Sequence, residues 1–272
     1  MKKLSILKLF RLNKLLANFT KRQRTVIGSI VLVIMMLMAT FVSIEDSLFF
    51  FPIFIFAVYV VTYLTILENI NKIERISLFL TPLIFSIIFY LFYFFVPQRW
   101  LTRLPFIVFY AVGIYASLLS QNIFNVGVEK TIQLVRAASS INFLILTVVS
   151  LVGNIIIYSL DIPYFYIPII IFLLHLPIIW QFIWSVNPTE EGSWTDLIQS
   201  LVVAFLLAQL SIMLLFVPLE RSILSLIITC VFYSITGLLQ AYLQQRLFKE
   251  RLREYIGVLI FIGILSFFVV KW

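Results

Sequence analysis

His175 is the one histidine of the chain, and it falls inside an apolar run between Pro168 and Pro177. An imidazole in hydrocarbon can hold a ligand, or bond the carbonyls that a proline frees in a helix. Tyr59 stands seven residues beyond Pro52, as His175 stands seven beyond Pro168. Glutamines supply further neutral polar groups near the ends of such runs: Gln121, Gln181, Gln199, Gln240 and Gln244 all fall towards one side. Tyr59, Gln121, His175, Gln240 and Gln244 are therefore the candidate lining of a polar cavity. The plainer reading is ordinary packing, in which small faces let helices approach and side-chain amides bond across them.

Conventional reactive chemistry is not legible. General acid–base work needs paired titratable groups, and within the apolar runs only His175 titrates near neutrality. The H-E-x-x-H, G-x-S-x-G and P-loop patterns do not occur. No catalytic residue, metal site or cofactor is expected. The acidic pair Glu45-Asp46 would suit a transferase acting on a lipid-linked substrate, yet its connection is short and a solvated turn explains it more simply. A single cysteine, Cys230, rules out an intrachain disulfide.

The elements that carry these residues follow from composition. Of 272 residues 62% are hydrophobic and 12% charged, against about 25% charged in soluble proteins. That is more apolar surface than a soluble core could hide, so lipid must stand where water would. Nine apolar runs approach the length of a span, at 26–44, 48–67, 76–96, 104–120, 141–160, 164–186, 197–217, 223–245 and 255–270. None contains Asp, Glu, Lys or Arg, each of which costs about 2.5–3.5 kcal/mol at mid-membrane. Backbone groups in lipid must pair within each segment, which selects helices. The expected fold is an all-α, polytopic transmembrane helix bundle of about nine spans, or eight if the short last run lies in the interface.

Sixteen Lys and Arg fall in the amino-terminal tail and the connections on its side, against four on the other side. The positive-inside rule then places the amino terminus in the cytoplasm and, with nine spans, the carboxyl terminus outside. The basic leader, residues 1–25, reads as an amphipathic segment drawn to anionic lipid headgroups. Its interleaved leucines disfavour nucleic acid as a partner; the bilayer itself, a protein partner or a second copy of the chain are the expected ones.

One phrase occurs twice. "EDSLFFFPIFIF" at 45–56 has a cousin in "LDIPYFYIPIIIF" at 160–172, "FFVPQRW" at 94–100 in "LFVPLER" at 215–221, and "VFYAVG" at 108–113 in "VFYSITG" at 231–237. The expectation is a parallel duplication of a four-helix unit. Residues 26–125 form the first unit and 141–248 the second. An interfacial amphipathic helix lies at 126–140, and a basic loop with a short final span at 249–272.

The stretch "SQNIFNVGVEKTIQLVRAASSINF" at 120–143 resembles a recurring segment of uncharacterised multi-pass membrane proteins of small-genome uncultured bacteria. The resemblance implies a bacterial inner (plasma) membrane and no assigned activity. Three functions stay open: a non-enzymatic scaffold or accessory component, a small permease or flippase for a neutral or amphipathic solute, and the lipid-linked transferase.

Overall fold

The computed structural model describes residues 20–66, 74–97, 99–126, 132–186, 188, 194–245 and 249–269. These residues form nine helices: α1 (Lys21–Ala39), α2 (Ile44–Ile66), α3 (Glu74–Tyr93), α4 (Trp100–Val126), α5 (Ile132–Ser159), α6 (Tyr166–Val186), α7 (Trp194–Leu215), α8 (Arg221–Leu243) and α9 (Lys249–Val269). Polar residues set their ends. The Thr20 hydroxyl accepts from the Gln23 N–H while the Gln23 side chain accepts from the Thr20 N–H, a capping box for α1. At α2 the Ser43 hydroxyl donates to Asp46 Oδ2 at 2.7 Å and accepts the Asp46 N–H at 3.2 Å. Asp46 is thus engaged in starting a helix. α8 stops at Gln244, beyond which Gln245 takes the left-handed φ of 52°.

Eight of these helices are long and apolar enough to cross a membrane. α9 is not among them. Its first six residues carry five charges, with an exposed Arg251–Glu254 pair at 3.4 Å. The fifteen residues left would rise only about 22 Å, short of a hydrocarbon core of about 30 Å. Among the described residues the expected ninth span is therefore a helix docked on α8 through Tyr255 and Ile262. The interfacial helix expected over 126–140 is also redrawn: from Ile132 onward those residues are the first turns of the continuous, 28-residue α5. Gln133, Arg136 and Ser140 still share its exposed side. Of the leader, residues 1–19 lie outside the described residues and 21–25 belong to α1.

Cross-bundle bonds fix the relative directions of helices in three pairs. Tyr93 at the end of α3 donates to the Thr40 carbonyl at the end of α1, and Asn125 at the end of α4 donates to the Ile66 carbonyl at the end of α2. Arg221 at the start of α8 donates to the Ser159 carbonyl at the end of α5. Helices accordingly alternate between a basic end, where α1 begins, and a far end.

Within α1–α4, each helix packs on the next, α1 also packs on α4 and α2 on α4; α5–α8 repeat the same pairings. α5 joins the two sets by lying against α3 and α4, and α3 also meets α6. One hydrophobic core runs through both sets, from Leu32, Met36 and Phe54 to Tyr110, Leu146, Ile171 and Phe232. No described Asp, Glu, Lys or Arg is buried. The outward surface carries Ile30, Phe49, Phe56, Val112, Leu173, Phe205 and many other exposed apolar side chains, a surface that lipid tails solvate and water would not.

Candidate functional site

The middle of the second four-helix set is tied by a chain of hydrogen bonds with a fixed direction. Ser150 and Asn154 lie four residues apart on α5, Ile171 and His175 on α6, and Ser225 and Thr229 on α8, so each pair shares one helix face. His175 Nδ1 is 2.9 Å from the Ile171 carbonyl. A carbonyl only accepts, so Nδ1 carries the proton and Nε2 accepts from the Ser150 hydroxyl, also at 2.9 Å. The Ser150 oxygen in turn accepts from Asn154 Nδ2 at 3.4 Å, which also donates to Thr229 Oγ1 at 3.0 Å. The Thr229 hydroxyl ends the chain on the Ser225 carbonyl at 2.8 Å. His175, Ser150 and Asn154 are fully buried, and the imidazole packs on the Phe232 ring at 5.5 Å between centroids. Both ring nitrogens of His175 are committed. Asn154 Oδ1 alone is left over.

A second polar cluster lies nearer the basic end, where α3, α4, α5 and α6 meet. Asn142 Oδ1 accepts from Thr81 Oγ1 and from Gln121 Nε2, both at 3.1 Å. Phe124 of α4 meets Trp184 of α6 at 5.9 Å, and Gln121 and Gln181 each sit one turn before those rings, at the same depth. Gln121 Oε1, Asn142 Nδ2 and both polar atoms of Gln181 are buried without a hydrogen-bond partner among the described residues.

The five candidate residues are distributed differently. His175 anchors the central chain and Gln121 the second cluster. Gln240 Nε2 donates to Ser139 Oγ at 3.4 Å, joining α8 to α5. Gln244 is the C-cap of α8, its N–H on the Gln240 carbonyl. Tyr59 is 48% exposed on the outer face of α2, its ring stacked on Phe79 at 4.9 Å. Glu45 and Asp46 occupy the first turn of α2. The residues that complete the hydrogen-bonded sites, Ser150, Asn154, Thr229, Thr81 and Asn142, escape a search for unusual residue types. Their four-residue spacing within apolar runs is the signal that exposes the Ser150/Asn154 and Ser225/Thr229 pairs.

A bundle of membrane-length helices joined by buried neutral polar side chains, with every described charge at its ends or rim, defines a polytopic membrane protein. Within that class the chain belongs to a family of proteins of unknown function, DUF5656, whose model matches residues 128–270. The matched part contains α5 to α9 and with them the whole His175 chain. No curated protein and no solved structure matches the sequence.

Proposed function

We propose that this protein is a non-enzymatic component of a bacterial inner membrane, a scaffold or accessory subunit whose helices present a lipid-facing surface to a partner. The observation that carries this reading is the commitment of His175. The one histidine of the chain is buried, bonded at both nitrogens and packed on Phe232, an arrangement suited to holding α5, α6 and α8 in register. A general base must come within hydrogen-bond reach of its substrate, directly or through one water, and His175 and its hydroxyl partner Ser150 are both fully buried between helices. The test is proton flux into proteoliposomes carrying the purified chain and a pH-sensitive dye. No flux above empty vesicles is expected, and His175→Gln should complement a deletion strain as wild type does. Flux that vanishes in His175→Gln would overturn the reading.

The basic end is assigned to the cytoplasm, supported by sixteen Lys and Arg against four. Anionic headgroups are its proposed partners there: Lys21 and Arg22 line a cavity of about 340 Å³ with Tyr115 and Asn122. The identical pairings within α1–α4 and α5–α8 support a duplicated four-helix unit.

A second reading, a small permease or flippase, is favoured by one observation. Gln121 Oε1, Asn142 Nδ2 and both polar atoms of Gln181 lie unpartnered among the described residues near the seam between the two units, where water or a neutral solute could meet them. Gln181→Leu separates the two readings. A scaffold tolerates it or is stabilised by it, because no bond is lost; a solute path through the seam loses its function.

A further inference from the structure

At the far end of the second unit, between the end of α5, the start of α6, the end of α7 and the start of α8, lies a cavity of about 490 Å³. Ile167, Leu215, Leu219 and Leu224 form its apolar wall, and Tyr158, Asp161 and Arg221 its polar one. Tyr158 is 4% exposed, yet its hydroxyl has no hydrogen-bond partner among the described residues. A buried phenol ordinarily finds one. Arg221 Nη1 donates to the Ser159 carbonyl at 3.4 Å, which anchors the guanidinium at the rim. Asp161 faces the same space without pairing with Arg221 among the described contacts. α8 begins at Arg221, so the partial positive charge at the amino end of this 23-residue helix adds to that of Arg221.

The corresponding end of the first unit is bridged by aromatic side chains. The register that pairs Phe94 with Leu215 pairs Tyr90 with Ser211 and Tyr93 with Leu214. Tyr90 and Tyr93 reach across to the carbonyls of Ser47 and Thr40 at 3.0 and 2.7 Å. The rings of Phe41 and Trp100 pack together there at 5.8 Å, with the Arg103 guanidinium over both. Ser211 instead turns back on its own helix, to the Ala208 carbonyl at 2.7 Å, and Leu214 has no hydroxyl to send across. Two long phenols are replaced by side chains that cannot bridge.

We propose that this cleft binds a zwitterion bearing a phosphate and an ammonium group, supplied either as a phosphoethanolamine lipid headgroup or as its soluble counterpart. Arg221 and the α8 amino terminus take the phosphate, the Tyr158 hydroxyl donates to a phosphate oxygen, and Asp161 receives the ammonium. A simple anion would meet repulsion from the Asp161 carboxylate, and a simple cation repulsion from Arg221. The apolar wall beside the charged rim matches the glycerol and first methylenes of a lipid. The inference stands apart from the scaffold reading, since a structural lipid and a transported one would meet the same groups.

Native mass spectrometry of the full chain tests this, with the protein released from mild detergent micelles containing equal phosphatidylethanolamine and phosphatidylglycerol. Preferential retention of phosphatidylethanolamine is expected. Arg221→Gln and Tyr158→Phe should each lower it about tenfold, the effect of losing a hydrogen bond to a charged group. Tyr158→Phe keeps the ring, so an unchanged melting point certifies the fold. Asp161→Asn should erase the preference between the two lipids while leaving binding. Calorimetric titration with O-phosphoethanolamine identifies the soluble source: saturation by it without lipid retention assigns the site to the soluble zwitterion. Equal retention of both lipids with no response to phosphoethanolamine, or phosphatidylethanolamine retention unmoved by Arg221→Gln and Tyr158→Phe, overturns the proposal.

Discussion

Replacing Gly113 by alanine perturbs the seam between α3 and α4 at its tightest point. The added methyl would stand 2.2 Å from Phe85 Cζ, 2.8 Å from Cε2 and 3.1 Å from Cε1, where carbon atoms prefer about 3.5–4.0 Å. The Phe85 ring cannot swing aside. It is 1% exposed, and the rings of Phe89 and Tyr110 lie 4.3 and 5.7 Å from it. α4 must therefore back away from α3, which stretches the 3.0 Å bond between Ser86 and the Tyr110 hydroxyl. Overpacking costs about 1–3 kcal/mol, and a hydrogen bond between membrane helices contributes about 0.6 kcal/mol on average. The expected loss is about 2–4 kcal/mol. Phe85→Leu removes the far edge of the ring, so adding it to Gly113→Ala should recover at least about 1 kcal/mol, a coupling that only contacting residues show. Reversible unfolding in mixed micelles, followed by tryptophan fluorescence, measures all four corners of the cycle. A Gly113→Ala chain within about 0.5 kcal/mol of wild type, or a Phe85→Leu effect that simply adds to it, would refute the packing argument.

Gly237→Ala should act on α9 alone, because the new methyl would fall 2.2 Å from the Tyr255 ring that docks α9 on α8; hydrogen exchange should rise over 249–269 and stay unchanged in α5 and α6. Asn154→Leu gives up bonds to Ser150 and Thr229 but also removes the unpartnered Oδ1, so its melting point should imply a loss under about 1 kcal/mol. His175→Leu leaves the buried Ser150 hydroxyl without its acceptor, and should cost about 1–2 kcal/mol in the same assay. For orientation, single cysteines at Thr20 and Pro163 in a Cys230→Ser chain should differ towards an impermeant maleimide in intact cells: Pro163→Cys labels and Thr20→Cys does not. The opposite pattern would reverse the assignment of the two ends.

The helices were legible because hydrocarbon leaves few options: an uncharged run of twenty apolar residues has one way to satisfy its backbone. Helix boundaries were less so. α5 begins at Ile132 and not near 141, since a helix entering the headgroup region need not break where its polarity changes; Gln133 and Arg136 simply snorkel on its exposed side. His175 stood out by residue type, and its burial was foreseeable from its position in an apolar run. Its partners were not. Helical spacing says which residues share a face, but the neighbour that face meets depends on how the helices pack, and Ser150, Asn154 and Thr229 are ordinary residues until three helices bring them together. Tyr59 shows the reverse error of analogy. It holds the place of His175 in the matched phrase, yet it stacks on Phe79 at the bundle surface.

The two four-helix sets share their pairings but are held by different forces, and the reason lies in the solvent. In lipid an apolar helix gains little by exchanging a fatty chain for another helix, so specificity must come from shape or from directed polar bonds. The first set uses shape. Phe54, Phe85, Phe89, Phe106, Tyr90 and Tyr110 interlock around Gly113, and the tyrosine hydroxyls of Tyr90 and Tyr93 close its far end. The second uses direction, through the His175–Ser150–Asn154–Thr229 chain, and can do so with fewer rings. Fewer rings leave space unfilled: the Tyr158 hydroxyl stays unpaired and a cleft opens beside Arg221. A ring-for-ring transplant exposes that trade. Ser211→Tyr with Leu214→Tyr should bridge α7 to α5 and α6, raise the melting point, and abolish the zwitterion binding; if the transplanted chain still retains phosphatidylethanolamine, the cleft is not where it binds.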